Sequence, residues 1–278
     1  MVQRRCLVVK VITINVDKGG VGKTTLAFNG AYYLKTQGYR VLLIDLDPST
    51  NLTFRFEEAI DVDVEHTVEA FFQGKVAPKP LQVDEQIDLI AGHAGLPLLQ
   101  REIEQGMQRR YLLAWYYQNL QELEEKYDYI LIDTHNDHSV ITNNALVIAD
   151  KVLAIANVDA DAMGKLALEE AHIEYLKKME MDFATGKSFV NAQVVKVGNK
   201  VKKGSEARAD DRNFALAFEQ LMAKDSSFLG YFYESGQMAK AKTENKTIFH
   251  LEDDPRYQQR CHKINYEQTK QLFEKIFA

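Results

Sequence analysis

The chain has 278 residues, of which 46% are hydrophobic and 27% are charged. This composition excludes a disordered tail and a bilayer-embedded protein. With 34 Lys+Arg against 40 Asp+Glu, the formal net charge is −6, so nucleic-acid contact would require a local basic patch. Cys6 and Cys261 stand far apart in the sequence, which argues against a disulfide framework or a thiolate metal cluster and predicts a reducing compartment.

The start of the chain superficially mimics a signal peptide, because basic residues precede an apolar run. Lys10 interrupts that run, and Asp17-Lys18-Gly19-Gly20 follows where a small-residue cleavage site would be needed. We therefore expect a buried strand here and a cytoplasmic protein.

Apolar, β-rich segments alternate with helical patterns along the whole chain. The predicted strands are Leu7–Val16, Arg40–Ile44, Ile87–Ala91, Tyr127–Asp133, Lys151–Asn157 and Phe189–Val197. The predicted helices are Thr24–Gln37, Leu112–Lys126, Ala162–Lys178 and Asn213–Lys224, and a helical excursion is expected at about residues 98–126. The alternation predicts an α/β fold in which right-handed β-α-β units build a mostly parallel twisted sheet with helices on both faces. A single domain spanning residues 1–278 is expected.

Two apolar clusters have more than one interpretation. Trp115-Tyr116-Tyr117 could form a partner surface, although a helix packed on the sheet is preferred. In Lys263–Phe277 the apolar residues recur at helical spacing. A membrane-inserted helix should be basic on its polar face, whereas this one mixes Glu and Lys, so packing onto the domain is preferred.

A glycine-rich loop lies between the first predicted strand and the first predicted helix. It follows the phosphate-binding pattern Gly-x-x-x-x-Gly-Lys-Ser/Thr, except that Asp17 occupies the place of the first glycine. Glycines let backbone N–H groups approach a polyphosphate, and the helix N-terminus adds partial positive charge. Lys23 is expected to bind the β/γ-phosphates and Thr24 to ligate Mg²⁺. The predicted nucleotide-binding residues are Gly19, Gly20, Val21, Gly22, Lys23, Thr24 and Thr25. ATP is preferred over GTP because an Asn-Lys-x-Asp guanine-reading segment is missing.

The segment Lys18-Gly-Gly-Val-Gly-Lys-Thr-Thr resembles the deviant Walker A box of the ParA/MinD family, the P-loop ATPases of plasmid and chromosome segregation. Val41–Pro48 with Asn51-Leu52-Thr53 resembles that family's first switch, and Tyr127–Asp133 its Walker B strand. A further match at 142–152 extends the resemblance over roughly residues 8–160. The resemblance implies a P-loop NTPase fold, ATP and Mg²⁺ as cofactors, and hydrolysis of ATP to ADP and phosphate.

The resemblance implies three catalytic residues. Lys18 matches the signature lysine that reaches the partner's phosphates in a nucleotide-sandwich homodimer, and Lys23 matches the Walker lysine. Asp47 matches the residue that orients the attacking water. A cation supplied in trans would link dimerisation to hydrolysis, since phosphoryl transfer depends on positioning and charge neutralisation.

The resemblance also implies a metal set of Thr24, Asp45 and Asp133. Simpler roles remain open for these carboxylates. Asp45 and Asp47 could cap the loop before Pro48, and Asp133 could accept a bond at a helix cap.

The second switch departs from the family pattern. After Asp133 the family commonly has a Pro-Pro pair, whereas this chain has Thr134-His135-Asn136-Asp137-His138. The replacement predicts a more flexible loop with two titratable rings. His135 could sense the γ-phosphate or protonation, although a solvated loop histidine is the preferred interpretation.

Shorter members of this family bind double-stranded DNA without sequence preference through basic residues of the C-terminal half. Six basic residues and three acidic ones fall in seventeen residues here, so six minus three gives a local charge of +3. Such a patch suits phosphate contacts, although a solvated lysine-rich loop remains possible. The candidate DNA-binding residues are Lys196, Lys200, Lys202, Lys203, Arg208 and Arg212. Asn199 is a candidate adenine contact.

Because the glycine-rich loop begins within the first twenty residues, we expect no N-terminal helix-turn-helix module, and a separate ParB-like adaptor that recognises the centromere. The favoured function is an ATP-dependent dimerising switch for DNA partition that associates with the nucleoid. One alternative is a MinD-like positioning ATPase on a membrane. Another is a metabolic P-loop ligase or an electron-transfer ATPase. Lys18 argues against the ligase, and the missing paired-cysteine cluster argues against the redox version.

Overall fold

The computed structural model describes residues 8–73, 77–105, 111–234, 236–251 and 262–278. Cys6 and Cys261 lie outside these residues, so the structure does not test the prediction that they form no disulfide framework or metal cluster. The strands are β1 Lys10–Ile14, β2 Val41–Leu46, β3 Leu81–Asp84, β4 Ile87–Ile90, β5 Tyr129–Thr134, β6 Lys151–Asn157, β7 Gln193–Val201 and β8 Phe228–Tyr233. The helices are α1 Lys23–Thr36, α2 Glu69–Gln73, α3 Leu96–Gln105, α4 Tyr111–Gln118, α5 Leu120–Lys126, α6 Val140–Ile148, α7 Ala162–Met179, α8 Ala209–Met222, α9 Gly236–Thr243 and α10 His262–Phe277.

The strands form one eight-stranded sheet in the order β3-β4-β2-β5-β1-β6-β7-β8. All neighbouring pairs are parallel except β3 and β4, which are antiparallel. Helices follow strands along the chain and cover both faces, so the predicted fold class is confirmed. The sequence does not predict the antiparallel edge strand β3, because its burial is only partial and its four residues give a weak pattern.

The sheet brings three carboxyl-terminal strand ends together. β5 lies between β1 and β2, and Asp133 is the register partner of Ile14 on one side and of Asp45 on the other. In open parallel sheets, ligands bind beyond the carboxyl ends of the strands. The glycine-rich loop that leaves β1 therefore stands beside the acidic ends of β2 and β5.

Two apolar layers enclose the sheet. One contains α1 and α10 side chains against β1, β2 and β5, and the other contains side chains of α2 to α7. Trp115 is 9% exposed and its ring meets Phe71 edge to face at 4.9 Å. The prediction that this aromatic cluster packs inside is thus confirmed for Trp115, although Tyr117 is 54% exposed.

Helix α10 packs on the domain, as predicted. Phe273, Ile276 and Phe277 are buried, and the Tyr129 hydroxyl donates to the Phe277 carbonyl at 2.9 Å. The contact with α1 is so close that a Cβ at Gly30 would lie 2.9 Å from the Phe277 ring. Its apolar face is therefore occupied by the protein itself. Among the described residues no helix is both long and apolar enough to cross a membrane.

Several predicted bounds differ from the structure, for example that of α8, which begins at Ala209 and not at Asn213, and two of the differences have a clear physical reason. The helix predicted at 112–126 is divided into α4 and α5 at Asn119, whose side chain donates to the Trp115 carbonyl at 2.8 Å. The strand predicted at 189–197 begins later and ends later, at Gln193–Val201. Its polar end, which includes Gly198 and Asn199, stays in the sheet because the parallel ladder to β6 continues through both residues.

Candidate nucleotide-binding site

The loop between β1 and α1 has the backbone geometry of a phosphate cradle. Gly20 and Gly22 adopt positive φ angles of 72° and 107°, which favour glycine. Helix α1 begins at Lys23, and Gly22 provides no side chain to cap it. The first N–H groups of α1 can therefore bind an anion.

A cleft of about 500 Å³ opens over this loop. All seven residues predicted to bind the nucleotide, Gly19 to Thr25, line it, and so do Asp47 and Asn199. The cleft is also lined by residues outside the glycine-rich loop, namely Ser49, Asn51, Arg55, His135, Asn136, Lys200, Tyr233, Glu234 and Met238. The sequence singles out three of them for other reasons: Asn51 in the first-switch resemblance, His135 as a possible γ-phosphate sensor and Lys200 as a candidate DNA contact. These come from distant segments, and only the fold brings them together.

Lys23 is buried at the base of the cleft. Its Nζ donates to the carbonyls of Val16 at 3.4 Å and Lys18 at 3.3 Å. Burial lowers the pKa of Lys23, while Asp133 and Asp47 act in the opposite direction. These long bonds to neutral carbonyls hold the ammonium in the loop, where a phosphate oxygen would be a stronger acceptor.

Asp45 and Asp133 are both fully buried, side by side at the ends of β2 and β5. Asp45 Oδ2 accepts from the Thr53 amide at 2.8 Å and the Thr53 hydroxyl at 2.7 Å, and Oδ1 accepts from the Asp47 amide at 3.1 Å. Burial raises the pKa of Asp45 to about 6, partly offset by these bonds. Asp45 thus holds the loop that carries Asp47, and it does not line the cleft itself.

Asp133 is different, because neither of its carboxylate oxygens has a hydrogen-bond partner within the described part of the chain. Burial, and then the neighbouring Asp45, raise its pKa well above the usual range, while the Thr24 hydroxyl and Lys23 act in the opposite direction. A buried carboxylate without a partner is costly unless a cation joins it. Asp133 and Thr24 therefore fit Mg²⁺ well, and Asp45 fits it less well because its oxygens are already occupied.

No group of three or more His, Cys, Asp or Glu side chains able to hold a metal by themselves occurs in the described ranges. A magnesium ion here would therefore need phosphate oxygens and water as further ligands, as is usual for Mg²⁺ at nucleotide sites.

Replacing Asp133 with asparagine should stabilise the nucleotide-free protein at neutral pH. A carboxyl whose pKa is raised by folding binds more protons in the folded state, so the wild type loses stability as pH rises above about 4, the unfolded pKa. The amide of the variant does not titrate. The difference in stability between Asp133→Asn and the wild type should therefore vanish on acidification. We expect the melting temperature of Asp133→Asn at pH 7.5 to exceed that of the wild type by about 2–4 °C for each ~1 kcal/mol by which the substitution raises the free energy of unfolding. An Asp133→Asn variant that is less stable at pH 7.5 would contradict this assignment.

Asp47 is held by hydrogen bonds that all end on Oδ1. The Ser49 amide donates at 2.8 Å, the Ser49 hydroxyl at 2.7 Å, and His135 Nδ1 lies at 3.2 Å. The sequence favoured a solvated loop histidine for His135, and the structure adds a contact with Asp47 that the sequence did not predict. The His135 side chain is 40% exposed, and its Nδ1 lies 3.2 Å from the Asp47 carboxylate in the loop after β2.

Lys18 lies beside the cleft in an ion pair. Its Nζ is 2.7 Å from Asp159 Oδ2 in the loop between β6 and α7, and Lys165 Nζ is 3.0 Å from Asp17 Oδ2. Two ion pairs thus join the glycine-rich loop to the start of α7. Both are partly exposed, so each contributes little stability and can be exchanged.

The structure separates the six basic residues predicted to bind DNA. Lys196 is only 2% exposed and pairs with Glu170 at 2.9 Å and Asp225 at 3.5 Å. The prediction for Lys196 is wrong, because this ammonium cannot reach a DNA phosphate without breaking both pairs. Lys200 is exposed, but its Nζ donates to the Gly20 carbonyl at 2.6 Å, which places it at the nucleotide cleft.

The other four basic residues lie on the loop after β7 and on the first turn of α8. Lys203, Arg208 and Arg212 are exposed or half-exposed, and Lys202 is half-buried. Asp211 fixes this loop, since its carboxylate accepts from the backbone amides of Lys202 and Arg208, each at 2.9 Å. The four positive side chains are therefore presented by one short, anchored segment.

Asn199 supports the glycine-rich loop. Its Nδ2 donates to the Val21 carbonyl at 2.6 Å, and a Cβ at Gly22 would lie 2.6 Å from that nitrogen. The predicted contact with adenine stays a prediction, and the structure adds a role in shaping the loop.

A glycine-rich anion loop before α1, beside the carboxyl ends of β2 and β5, defines a P-loop NTPase. The AAA_31 family model, described as "AAA domain", matches residues 9–182. The chain belongs to this family.

Relatives support the resemblance to ParA proteins. The chromosome-partitioning ATPase Soj of Thermus thermophilus is 34% identical over 169 residues, which cover 57% of this chain and 59% of Soj. A plasmid partition protein from Borrelia burgdorferi has a TM-score of 0.65 at 26% identity, covering 88% of this chain and 98% of that one. An ATP complex of a Cyanothece McdA variant has a TM-score of 0.75 at 21% identity, covering 97% and 95%, which shows the common fold.

The chain spans little more than half the length of the curated relatives it matches, for example 57% and 54% of two of them. The predicted membership of the ParA-type ATPases is confirmed.

Proposed function

We propose that the protein is an ATP-hydrolysing, dimerising switch for DNA partition in the cytoplasm. ATP and Mg²⁺ close a nucleotide-sandwich homodimer, which binds double-stranded DNA on the nucleoid without sequence preference. A ParB-like adaptor on the cargo triggers hydrolysis and release. The observation that carries the proposal is the signature lysine, Lys18, in a phosphate loop whose cleft also contains Asp47.

The phosphate loop and the carboxylates near it have distinct tasks in this cycle. The loop amides and Lys23 bind the phosphates. Thr24 and Asp133 would hold a magnesium ion, which would supply neutralisation of charge on the phosphate oxygens. Asp47 accepts a hydrogen bond from the attacking water and holds it in line with the γ-phosphate.

Lys18 couples hydrolysis to dimerisation. Without nucleotide its ammonium is neutralised by Asp159 of the same subunit, at 2.7 Å. In the dimer it exchanges this carboxylate for the phosphates bound to the partner. Two subunits that brought Lys18 and Lys23 together without a triphosphate would repel each other, so ATP is required for closure.

The basic segment from Lys202 to Arg212 is the proposed DNA surface. Within this segment Lys202 pairs with Glu234 at 3.4 Å, and Lys203, Arg208 and Arg212 are exposed. Lys203 lies over the Tyr233 ring at 4.7 Å, next to the nucleotide cleft that Tyr233 lines. Tyr233 therefore links the two regions, so that a bound nucleotide can affect the position of Lys203 in the proposed DNA surface.

Alanine at both Lys203 and Arg212 should weaken DNA binding in the ATP state and lower the salt dependence. Each lost phosphate contact reduces the slope of log K against log salt by about 1, so the double variant should lose about 2. Fluorescence anisotropy with two unrelated DNA duplexes measures this, in ATP and in ADP. Lys187→Ala, an exposed lysine in the loop before β7, is the matched control. Equal DNA retention in ATP and ADP by the wild type would contradict the switch itself.

A further inference from the structure

We propose that His135 is a positioning residue for ATP hydrolysis, whose Nδ1–H group fixes the Asp47 carboxylate in the orientation that receives the attacking water. This inference rests on the proposed function, because it assigns Asp47 its role. It adds to the ParA pattern a residue that stands where the family commonly has proline.

The topology makes these two residues neighbours. β2 and β5 are adjacent and parallel, and Leu46 at the end of β2 is the register partner of Thr134 at the end of β5. Asp47 directly follows β2 and His135 directly follows β5, so the two connecting loops leave the sheet at the same level. Both line the nucleotide cleft.

The contact constrains one oxygen of the carboxylate. His135 Nδ1 lies 3.2 Å from Asp47 Oδ1, which also accepts from the Ser49 amide and hydroxyl. The hydrogen bonds recorded for this carboxylate among the described residues thus end on Oδ1, leaving Oδ2 to face a water molecule. The Asp47 side chain is 13% exposed and that of His135 is 40% exposed, so the carboxylate is largely shielded from solvent and its histidine partner is less so.

The chemistry defines the tautomer that is needed. An ionised carboxylate can only accept, so Nδ1 must carry the proton. A charge-assisted hydrogen bond of this kind restricts the rotation of the carboxylate and so favours one orientation of the water. Proline, which the family commonly has in this loop, offers no such donor.

The donor position can be tested with amide isosteres. Asparagine places its amide nitrogen near the position of Nδ1, whereas glutamine places it near Nε2. We expect His135→Ala to lower kcat for phosphate release about tenfold with KM for ATP unchanged. His135→Asn should recover most of the rate and His135→Gln should not. His93→Ala is the matched control, since His93 is a half-exposed histidine paired with Glu69 at 2.9 Å at a site outside the cleft lining.

The variant Asp47→Ala separates the two levels of the proposal. Adding His135→Ala to Asp47→Ala should cause no further loss, because His135 acts through that carboxylate. If Asp47→Ala is inactive but His135→Ala hydrolyses ATP like the wild type, the inference fails and the proposed function stands. Equal recovery by asparagine and glutamine, or a change in KM alone, would also overturn it. A wild type that does not hydrolyse ATP would overturn both.

Discussion

The Lys18→Ala variant should bind ATP and Mg²⁺ but remain monomeric and fail to bind DNA in every nucleotide state. In the proposed cycle the phosphates of its own subunit would be held by the loop amides and Lys23, which lines the cleft, whereas the Lys18 ammonium is paired with Asp159. Loss of this cation leaves the partner's triphosphate without its neutralising contact. Light scattering in ATP should show a mass near the monomer value of 31.8 kDa, while the wild type doubles.

Lys165→Ala is the control for this variant. It breaks the neighbouring ion pair with Asp17, at 3.0 Å, without removing the signature lysine, so it should still dimerise. A Lys18→Ala variant that dimerises as the wild type does would contradict the assigned role.

The Asp47→Ala variant should show the opposite behaviour, remaining dimeric and bound to DNA after ATP is added. Removal of the carboxylate that we propose to orient the attacking water should lower kcat by about 100-fold or more, comparable to the loss of one preorganised group at a reacting centre. ATP binding should persist, because the loop amides, Lys23 and Thr24 are intact. Dissociation of pre-formed DNA complexes, followed after a chase with competitor DNA, measures this. Release at the wild-type rate would refute the role of Asp47.

Much of the fold follows from local sequence patterns. The central strands β1, β2, β5 and β6 are apolar and largely buried, and the sequence predicts each to within a few residues. Edge elements are harder, since β3 and β8 are only partly buried and their identity as strands depends on pairing with neighbours. The polar end of β7 resembles a loop in sequence and is held in the sheet by its ladder to β6.

The nucleotide site divides in the same way. Gly19 to Thr25 form one continuous motif in which glycines, a lysine and a threonine occur in an order typical of phosphate binding. The phosphate loop could therefore be located from the sequence. Tyr233 and Met238 reach the cleft from the far end of the chain, and no local pattern marks them. The prediction that Lys196 binds DNA relied on local charge alone. It was wrong because the sequence does not show that Glu170 and Asp225 pair with its ammonium. The His135–Asp47 contact depends on the register of two strands, which becomes visible only in three dimensions.

Mixing two inactive variants tests most directly whether Lys18 acts in trans. Lys18→Ala and Asp47→Ala each lack one part of the machinery, but in a mixed dimer one site combines an intact Asp47 with the partner's intact Lys18. We predict that phosphate release, negligible for either variant alone, recovers in an equimolar mixture to a fraction of the wild-type rate. If Lys18 served its own subunit, no site in the mixture would be complete. A mixture as inactive as its components, under conditions where mixed dimers are shown to form, would contradict the proposed cycle.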